Sequence, residues 1–405
     1  MESWDILVVG AGPAGGTVAH HAAGGGLSVL LVEKRQQVGF PVRCAEAVGR
    51  EGFVAELGGD PAFFPDGPEE DPAPVFLADR IDEGELVSPG GRRARLQRPR
   101  TGYVLERKVF DLMLAERAAR TGAEVRVKTR TVGLERADGA WRVELCGEGR
   151  GETVNCRVLI GADGVESKTA RWTGLRGPWK TDELHSCAQV LAAGLDDSLR
   201  PGCVYFHLGA YIAPRGYAWA FPKGPGRANI GVGLRGESSD ATALEHLEAL
   251  LESHYPGASI LERVHGCVPS TPPPKRIVGD GVMLVGDAAG QVDPFSGAGI
   301  NWALEAGRLA AQTAVTALTS GREPTLDNLQ DYQRTWTQRH RREHLKLAKV
   351  KGFVDSLTDD ELDSAVTAIA EAAAGDELGE FSVGRLLRQV LRHAPGLLWK
   401  ARKLL

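Results

Sequence analysis

Residues 4–35 constrain the fold more tightly than any other stretch. Residues 5–10 (DILVVG) are a short apolar run that stops at glycine, as a buried parallel strand does. GAGPAG follows, with Gly10, Gly12 and Gly15 in a G-x-G-x-x-G spacing and Pro13 and Ala14 between them. A helical run continues to the glycines at 24–26, and a second strand over 28–32 ends at Glu33. Strand, glycines, helix, strand and acid in this order predict one βαβ unit with a dinucleotide site. Gly10 permits the tight turn, Gly12 lets a pyrophosphate approach the backbone, and Gly15 lets helix and strand pack closely. The helix N-terminus supplies free N–H groups and partial positive charge for the phosphates. Glu33, next to Lys34, stands where a carboxylate binds ribose hydroxyls. A carboxylate there repels a 2′-phosphate, so the site favours FAD or NAD over NADP.

A chain of 405 residues holds two or three domains around a large core. Its net charge of −5 gives no reason to expect nucleic acid as a partner. Six cysteines are scattered without a C-x-x-C pair, which argues against a metal site or a disulfide framework and fits a reducing cytoplasm. The N-terminus is already a core strand, so no signal peptide is expected. No run approaches the roughly 18 apolar residues that a membrane span needs.

Further along, a Pro- and Asp-rich stretch at 59–74 reads as loop. Residues 75–105 read as short strands around a turn at Pro89-Gly90-Gly91, and 107–120 as a helix. Alternating strands are predicted at 124–128, 131–135, 141–144 and 153–160. Residues 185–270 differ: short strand-like runs at 188–193, 204–208, 218–221 and 228–234 surround one helical piece at 241–254. That pattern predicts an antiparallel sheet with a helix, forming a separate layer. A buried strand returns at 282–285, an alanine-rich helix covers 301–318, and helical patterning continues from 331.

Two more corners carry cofactor chemistry. Residues 159–171 read LIGADGVESKTAR: a strand delivers Ala162, Asp163 and Gly164 to a polar turn before a helix. Read alone, this is equally an ordinary Asp-Gly turn. Residues 282–300 read VMLVGDAAGQVDPFSGAGI. The strand ends at Gly286-Asp287, whose carboxylate can hold sugar or ribityl hydroxyls. Pro294 follows, then Gly297, Gly299 and Ile300 open a helix with unpaired N–H groups. A helix N-terminus beside a flavin ring favours its reduced, anionic form.

These three motifs together resemble the FAD-dependent oxidoreductases of the p-hydroxybenzoate hydroxylase-like fold, over roughly residues 1–320. The resemblance implies that the first motif binds ADP, that GADG lies near the pyrophosphate, and that GDAAG contacts the ribityl side. Arg107 and Asp111, in RKVFD, match a segment that this group places close to the cofactor. The implied fold class is α/β. It has a Rossmann-like FAD-binding domain (1–74, 103–184 and 271–330), an antiparallel-sheet substrate domain (75–102 and 185–270) and a helical C-terminal region (331–405).

Two pieces narrow the resemblance. FPVRCAEAV at 40–48 carries Arg43 and Cys44, and PRGYAWAFP at 214–222 is followed by NIGVG at 229–233. Together they look like the geranylgeranyl reductase family, whose P-x-x-Y-x-W-x-F-P signature is met here by Pro214, Tyr217, Trp219, Phe221 and Pro222. The resemblance implies saturation of isolated C=C bonds in polyprenyl chains on a lipid or quinone, with hydride from reduced flavin N5 and a proton from the protein. Tyr217, Trp219 and Phe221 alternate, so on a strand they share one face and can wall a slot for an isoprenoid chain; plain core packing gives the same pattern. Cys44 is a candidate to lie beside the flavin and donate the proton, against the ordinary fate of a thiol as a small buried hydrophobe. Tyr217 is the second candidate donor. Arg43 can bind an anionic lipid head or the flavin, or form a surface ion pair.

The competing activity is an aromatic monooxygenase on the same three motifs. A flavin-dependent halogenase fits less well, because no lysine occurs between Arg35 and Arg107. A non-catalytic flavoprotein or lipid-binding module is the third class. The sequence leaves the electron donor open among NAD(P)H, ferredoxin and a deazaflavin. Residues 383–405 carry Arg385, Arg388, Arg392, Lys400, Arg402 and Lys403 among leucines. They predict either a basic helix lying peripherally on the inner face of the membrane or one docked on the core.

Overall fold

The computed structural model describes residues 1–68, 73–236, 240–374, 388, 390–392 and 400. Two eight-stranded sheets organise them. The first contains β1 (Glu2–Val9), β2 (Val29–Val32), β6 (Glu124–Arg126), β7 (Thr129–Ala137), β8 (Ala140–Gly147), β9 (Arg150–Gly161), β15 (Val278–Gly279) and β16 (Val282–Leu284). Its order is β15-β16-β9-β1-β2-β6, with β7 and β8 carried on from β9. The strands from β16 to β6 run parallel. Ile6, Leu7 and Val8 in β1 and Val29, Leu30 and Leu31 in β2 are fully buried. Both faces are covered, which is why these strands read as unbroken apolar runs rather than alternations.

Helix α1 (Pro13–Gly24) starts with proline at its first turn and has no side-chain cap. Its first N–H groups are therefore left for a ligand or solvent. A Cβ on Gly15 would stand 1.9 Å from the Gly10 carbonyl oxygen, so the helix can lie this close to the strand end only without a side chain there. Helices α3 (Arg107–Arg120) and α6 (Ile300–Thr319) flank α1.

The second sheet contains β3 (Ala47–Gly49), β4 (Leu77–Val87), β5 (Arg93–Leu105), β10 (Leu184–Ala193), β11 (Cys203–His207), β12 (Tyr217–Pro222), β13 (Arg227–Arg235) and β14 (Ser259–Pro269). Its order is β14-β10-β13-β12-β11-β4-β5-β3. It departs from the expected all-antiparallel sheet at one seam, where β4 and β11 pair in parallel. Between β4 and β11 the chain builds β5, four strands of the first sheet and β10; a parallel pair needs such a long crossover. Strand β3 comes from the stretch that sequence reasoning gave to the first domain. Strand β14 was not anticipated. It is an edge strand with exposed Ile260 and Leu261, charged Glu262 and Arg263, a glycine and a terminal proline, composition that edges tolerate and that hides a strand signal.

The remaining helices are α2 (Arg50–Leu57), α4 (Lys168–Trp172), α5 (Ala243–His254), α7 (Leu326–Val354) and α8 (Asp359–Ala374). Phe353 of α7 and Val366 and Ile369 of α8 pack with Ala94 of β5, and Val390 is buried in the same cluster. The rest of the basic segment expected at 383–405 lies outside the described residues, except 388, 391, 392 and 400. Among the described residues, no helix is long and apolar enough to cross a membrane.

Candidate active site

A cavity of about 790 Å³ runs along the C-terminal ends of the parallel strands. Gly10, Gly12, Glu33, Lys34, Arg43, Arg107, Ala162, Asp163 and Gly164 are in its wall. A Cβ placed on Gly12 would meet nothing within 4 Å and would project into open space, where a pyrophosphate needs close approach to the backbone. The Glu33 carboxylate accepts N–H bonds from Ala11 at 3.1 Å and Arg35 at 2.9 Å, one to each oxygen. Each oxygen keeps acceptor capacity for ribose hydroxyls.

At the second corner the side chain takes the Asp-Gly turn alternative while the segment lines the cavity. The Asp163 carboxylate accepts from Ser167 Oγ at 2.5 Å, from the N–H groups of Lys168 and Thr169, and from Thr169 Oγ1. It shapes its own turn, and the neighbouring Ala162 and Gly164 bring main chain to the cavity wall.

The third corner is braced from below. Gln291 Oε1 accepts the Gly286 N–H at 2.8 Å, Gln291 Nε2 donates to the Tyr332 hydroxyl at 2.8 Å, and that hydroxyl donates to the Leu284 carbonyl at 2.9 Å. Sequence reasoning missed Gln291 and Tyr332; only the chain's return through α7 brings Tyr332 here. The brace leaves the Asp287 carboxylate without a hydrogen-bond partner among the described residues. Burial pushes its pKa up, against the opposing charge of Arg107. A carboxylate held this way suits hydroxyl donors of a bound ligand. Gly299, without a side-chain cap, starts α6 at the same wall as Gly297 and Ile300. The open cradle at Gly12, the spare acceptors of Glu33 and the unpartnered Asp287 fit FAD. Gly15 and Pro294 lie in neither cavity wall.

A second cavity, of about 400 Å³, shares Gly12, Arg43, Arg107, Ala162, Gly164 and Cys267 with the first. Pro13, Ala14, Cys44, Gly286 and Asp287 also line it. Its other wall is aromatic. Tyr217, Trp219 and Phe221 all face it from β12, with ring centroids 6.0 and 6.4 Å apart along the strand. Phe206, on β11, completes the cluster 5.7 Å from Tyr217 and 5.4 Å from Phe221. It was missed because it stands alone in its own strand.

Trp219 lies flat across β13. A Cβ on Gly231 would meet the indole Cζ2 at 2.3 Å and Gln189 Cβ at 2.7 Å. Gly231→Ala should therefore cost about 1–3 kcal/mol by overpacking, read as a lower midpoint in chemical unfolding. An unchanged midpoint would mean that the indole does not rest there.

Behind the aromatic wall is a buried polar network. Trp219 Nε1 donates to Asn229 Oδ1 at 3.0 Å. Asn229 Nδ2 donates to the Cys44 carbonyl at 3.0 Å and to Glu46 Oε2 at 3.1 Å. Lys223 Nζ donates to Glu46 Oε2 at 2.7 Å, and both side chains are 3% exposed. Gln189 Nε2 donates to the Val42 carbonyl at 3.0 Å. The 42–46 segment is thus tied to β10 and β13. This brings Cys44 into the wall of the second cavity. Cys44 Sγ accepts the Glu46 N–H at 3.2 Å, and burial pushes its thiol pKa up. The Tyr217 hydroxyl donates to the Ser296 carbonyl, and burial likewise raises its pKa. Arg43 is half-exposed, 3.7 Å from Glu166.

Comparison with known proteins agrees with this arrangement. The geranylgeranyl reductase catalytic domain matches residues 183–268, an FAD-binding domain 71–208 and an NAD(P)-binding Rossmann-like domain 8–70. The digeranylgeranylglycerophospholipid reductase of Methanosarcina acetivorans is 38% identical, covering 100% of this chain and 96% of that one. Its namesake from Methanothrix thermoacetophila is also 38% identical, covering 99% of each chain. Among solved structures, a geranylgeranyl bacteriochlorophyll reductase-like protein from Thermoplasma acidophilum superposes with a TM-score of 0.88 at 32% identity over 100% of both chains. A myxobacterial chondrochloren halogenase superposes at 0.70 with 18% identity, a likeness of fold alone.

Proposed function

The chain belongs to the geranylgeranyl reductase family, and on that premise we propose that it saturates isolated C=C bonds of geranylgeranyl chains carried on a glycerophospholipid. It is a flavin-dependent oxidoreductase with FAD as cofactor, acting on geranylgeranyl chains of lipids. The phospholipid headgroup is taken from the relatives' substrate. The observation that carries the reading is the shared wall: the aromatic strand lines the same cavity as Asp287 and the N-terminus of α6, and that cavity joins the one lined by Gly12 and Glu33.

Gly12, Glu33, Arg107, Asp287 and the N-terminus of α6 would hold FAD, which would supply the hydride when reduced. Trp219 and Phe221, with Phe206, line the path of the isoprenoid chain and keep water from it. Arg43, in both cavity walls, is placed for an anionic lipid head. The second carbon of the double bond needs a proton, and two side chains can hold one. The Tyr217 proton is committed to the Ser296 carbonyl. Cys44 takes its hydrogen bond as an acceptor, so its S–H remains free for the cavity, and a raised pKa keeps it protonated. Cys44 is accordingly the proton donor, with Tyr217 fixing the floor beside it.

Mass spectrometry of lipids from a host that makes geranylgeranyl phospholipids and expresses this chain tests the reading. Products should be heavier by two hydrogen atoms per double bond reduced. Unchanged lipids, with FAD bound and a reductant supplied, would reject it. The lipid substrate also supports a peripheral contact with the inner face of the membrane, which flotation with liposomes reads.

A further inference from the structure

The wall of the larger cavity carries more positive charge than FAD can use. Eight cationic and four anionic side chains line it, in a chain whose net charge is −5. The diphosphate of FAD offsets only two charges. Lys34, Arg35 and Arg130 stand beside Glu33, at the ribose end. Lys168, Arg171 and Arg176 follow the 162–167 turn in the chain and line the same cavity, together with Trp172 and Trp179.

This second group is organised. Lys168 sits over the exposed Trp172 ring, 5.6 Å from its centroid, and the Arg176 guanidinium stacks 3.9 Å from the centroid of Trp179. Arg176 Nε and Trp179 Nε1 are enclosed and have no hydrogen-bond partner among the described residues. Lys168 and Arg171 form no ion pair among the described residues. Trp179 backs onto the third corner: a Cβ on Gly290 would meet its ring at 2.9 Å. The patch therefore spans from the second cofactor corner to the third. It shares its cavity with Arg43, Gly164 and Cys267, the boundary with the lipid cavity.

We propose that Lys168, Arg171, Trp172, Arg176 and Trp179 form the docking site of the electron donor, a diffusible hydride carrier with a planar ring and phosphate groups: a reduced nicotinamide dinucleotide or a reduced deazaflavin. The Lys168 and Arg171 cations meet phosphate, and the exposed Trp172 indole meets the ring. The donor ring gives one hydride to oxidised FAD and leaves oxidised, and one solvent proton completes the reduced cofactor. This rests on the reading of the chain as an FAD-dependent lipid reductase.

The test uses the FAD-loaded full chain without oxygen. The loss of visible flavin absorption is followed on mixing with NADPH, NADH or a reduced deazaflavin, which separates the possible sources. Lys168→Glu/Arg171→Glu should raise the donor concentration for half-maximal rate by about ten-fold or more and flatten its salt dependence. FAD retention, and reoxidation of dithionite-reduced protein by lipid, should match the wild type. Equal donor dependence in wild type and variant would overturn the site. So would reduction of the wild type by an iron–sulfur protein but by none of the three small donors. Failure of the dithionite-reduced protein to reduce lipid would instead count against the enzymatic reading.

Discussion

Lys223→Met should destabilise the protein by about 3–5 kcal/mol, because it strands a buried carboxylate. Glu46 and Lys223 are each 3% exposed and lie 2.7 Å apart. Glu46 would keep the Asn229 amide at 3.1 Å and the Arg107 N–H at 3.1 Å, but lose the cation hydrogen-bonded to it. Replacing both members is a different matter. Glu46→Gln with Lys223→Met removes both charges together, and such exchanges are often near neutral. Chemical unfolding of the single and double variants checks this. The single variant should unfold at clearly lower denaturant, and the double variant should recover most of the loss. A single variant as stable as wild type would mean that the pair is not buried as described. The consequence reaches the reaction, since Asn229 holds Glu46, the Cys44 carbonyl and, through its Oδ1, the Trp219 indole. One ion pair therefore fixes the spacing between the proposed proton donor and the aromatic wall.

Cys44→Ala should slow double-bond reduction by about 10²–10⁴-fold, the range for loss of a positioned general acid. FAD content and lipid binding should change little. Cys44→Ser should restore part of the rate, because a hydroxyl also carries a proton at that place. Tyr217→Phe should cost far less, since its hydroxyl proton is already given to the Ser296 carbonyl. Reoxidation of pre-reduced protein by lipid under single-turnover conditions reads the step directly. A Cys44→Ala protein at wild-type rate, beside a crippled Tyr217→Phe protein, would exchange their roles.

The first cofactor corner was legible because its information is local. A strand that stops at glycine, a proline at the first helical turn and an acid at the end of the next strand are fixed by neighbours a few residues away. The same holds for Tyr217, Trp219 and Phe221, whose two-residue period puts them on one face whatever the sheet order. Asp163 shows the limit. Its Asp-Gly turn was visible, but its carboxylate could turn either to a ligand or to the N–H groups of its own turn, and only coordinates separate the two.

What the sequence determined alone was the sequence of local units: the βαβ opening, the two later Gly- and Asp-bearing corners and the alternating aromatic strand. Periodicity and turn chemistry act over a handful of bonds and survive without knowledge of the fold. Tertiary structure decided the partners. Glu46 meets Lys223 across 177 residues, Gln291 meets Tyr332 across 41, and Phe206 joins the aromatic wall from another strand. The parallel seam of β4 with β11 and the edge strand β14 belong to the same class. Which distant side chain satisfies a buried charge or an unpaired strand edge depends on how long loops close, and loop closure leaves no periodic trace in the chain.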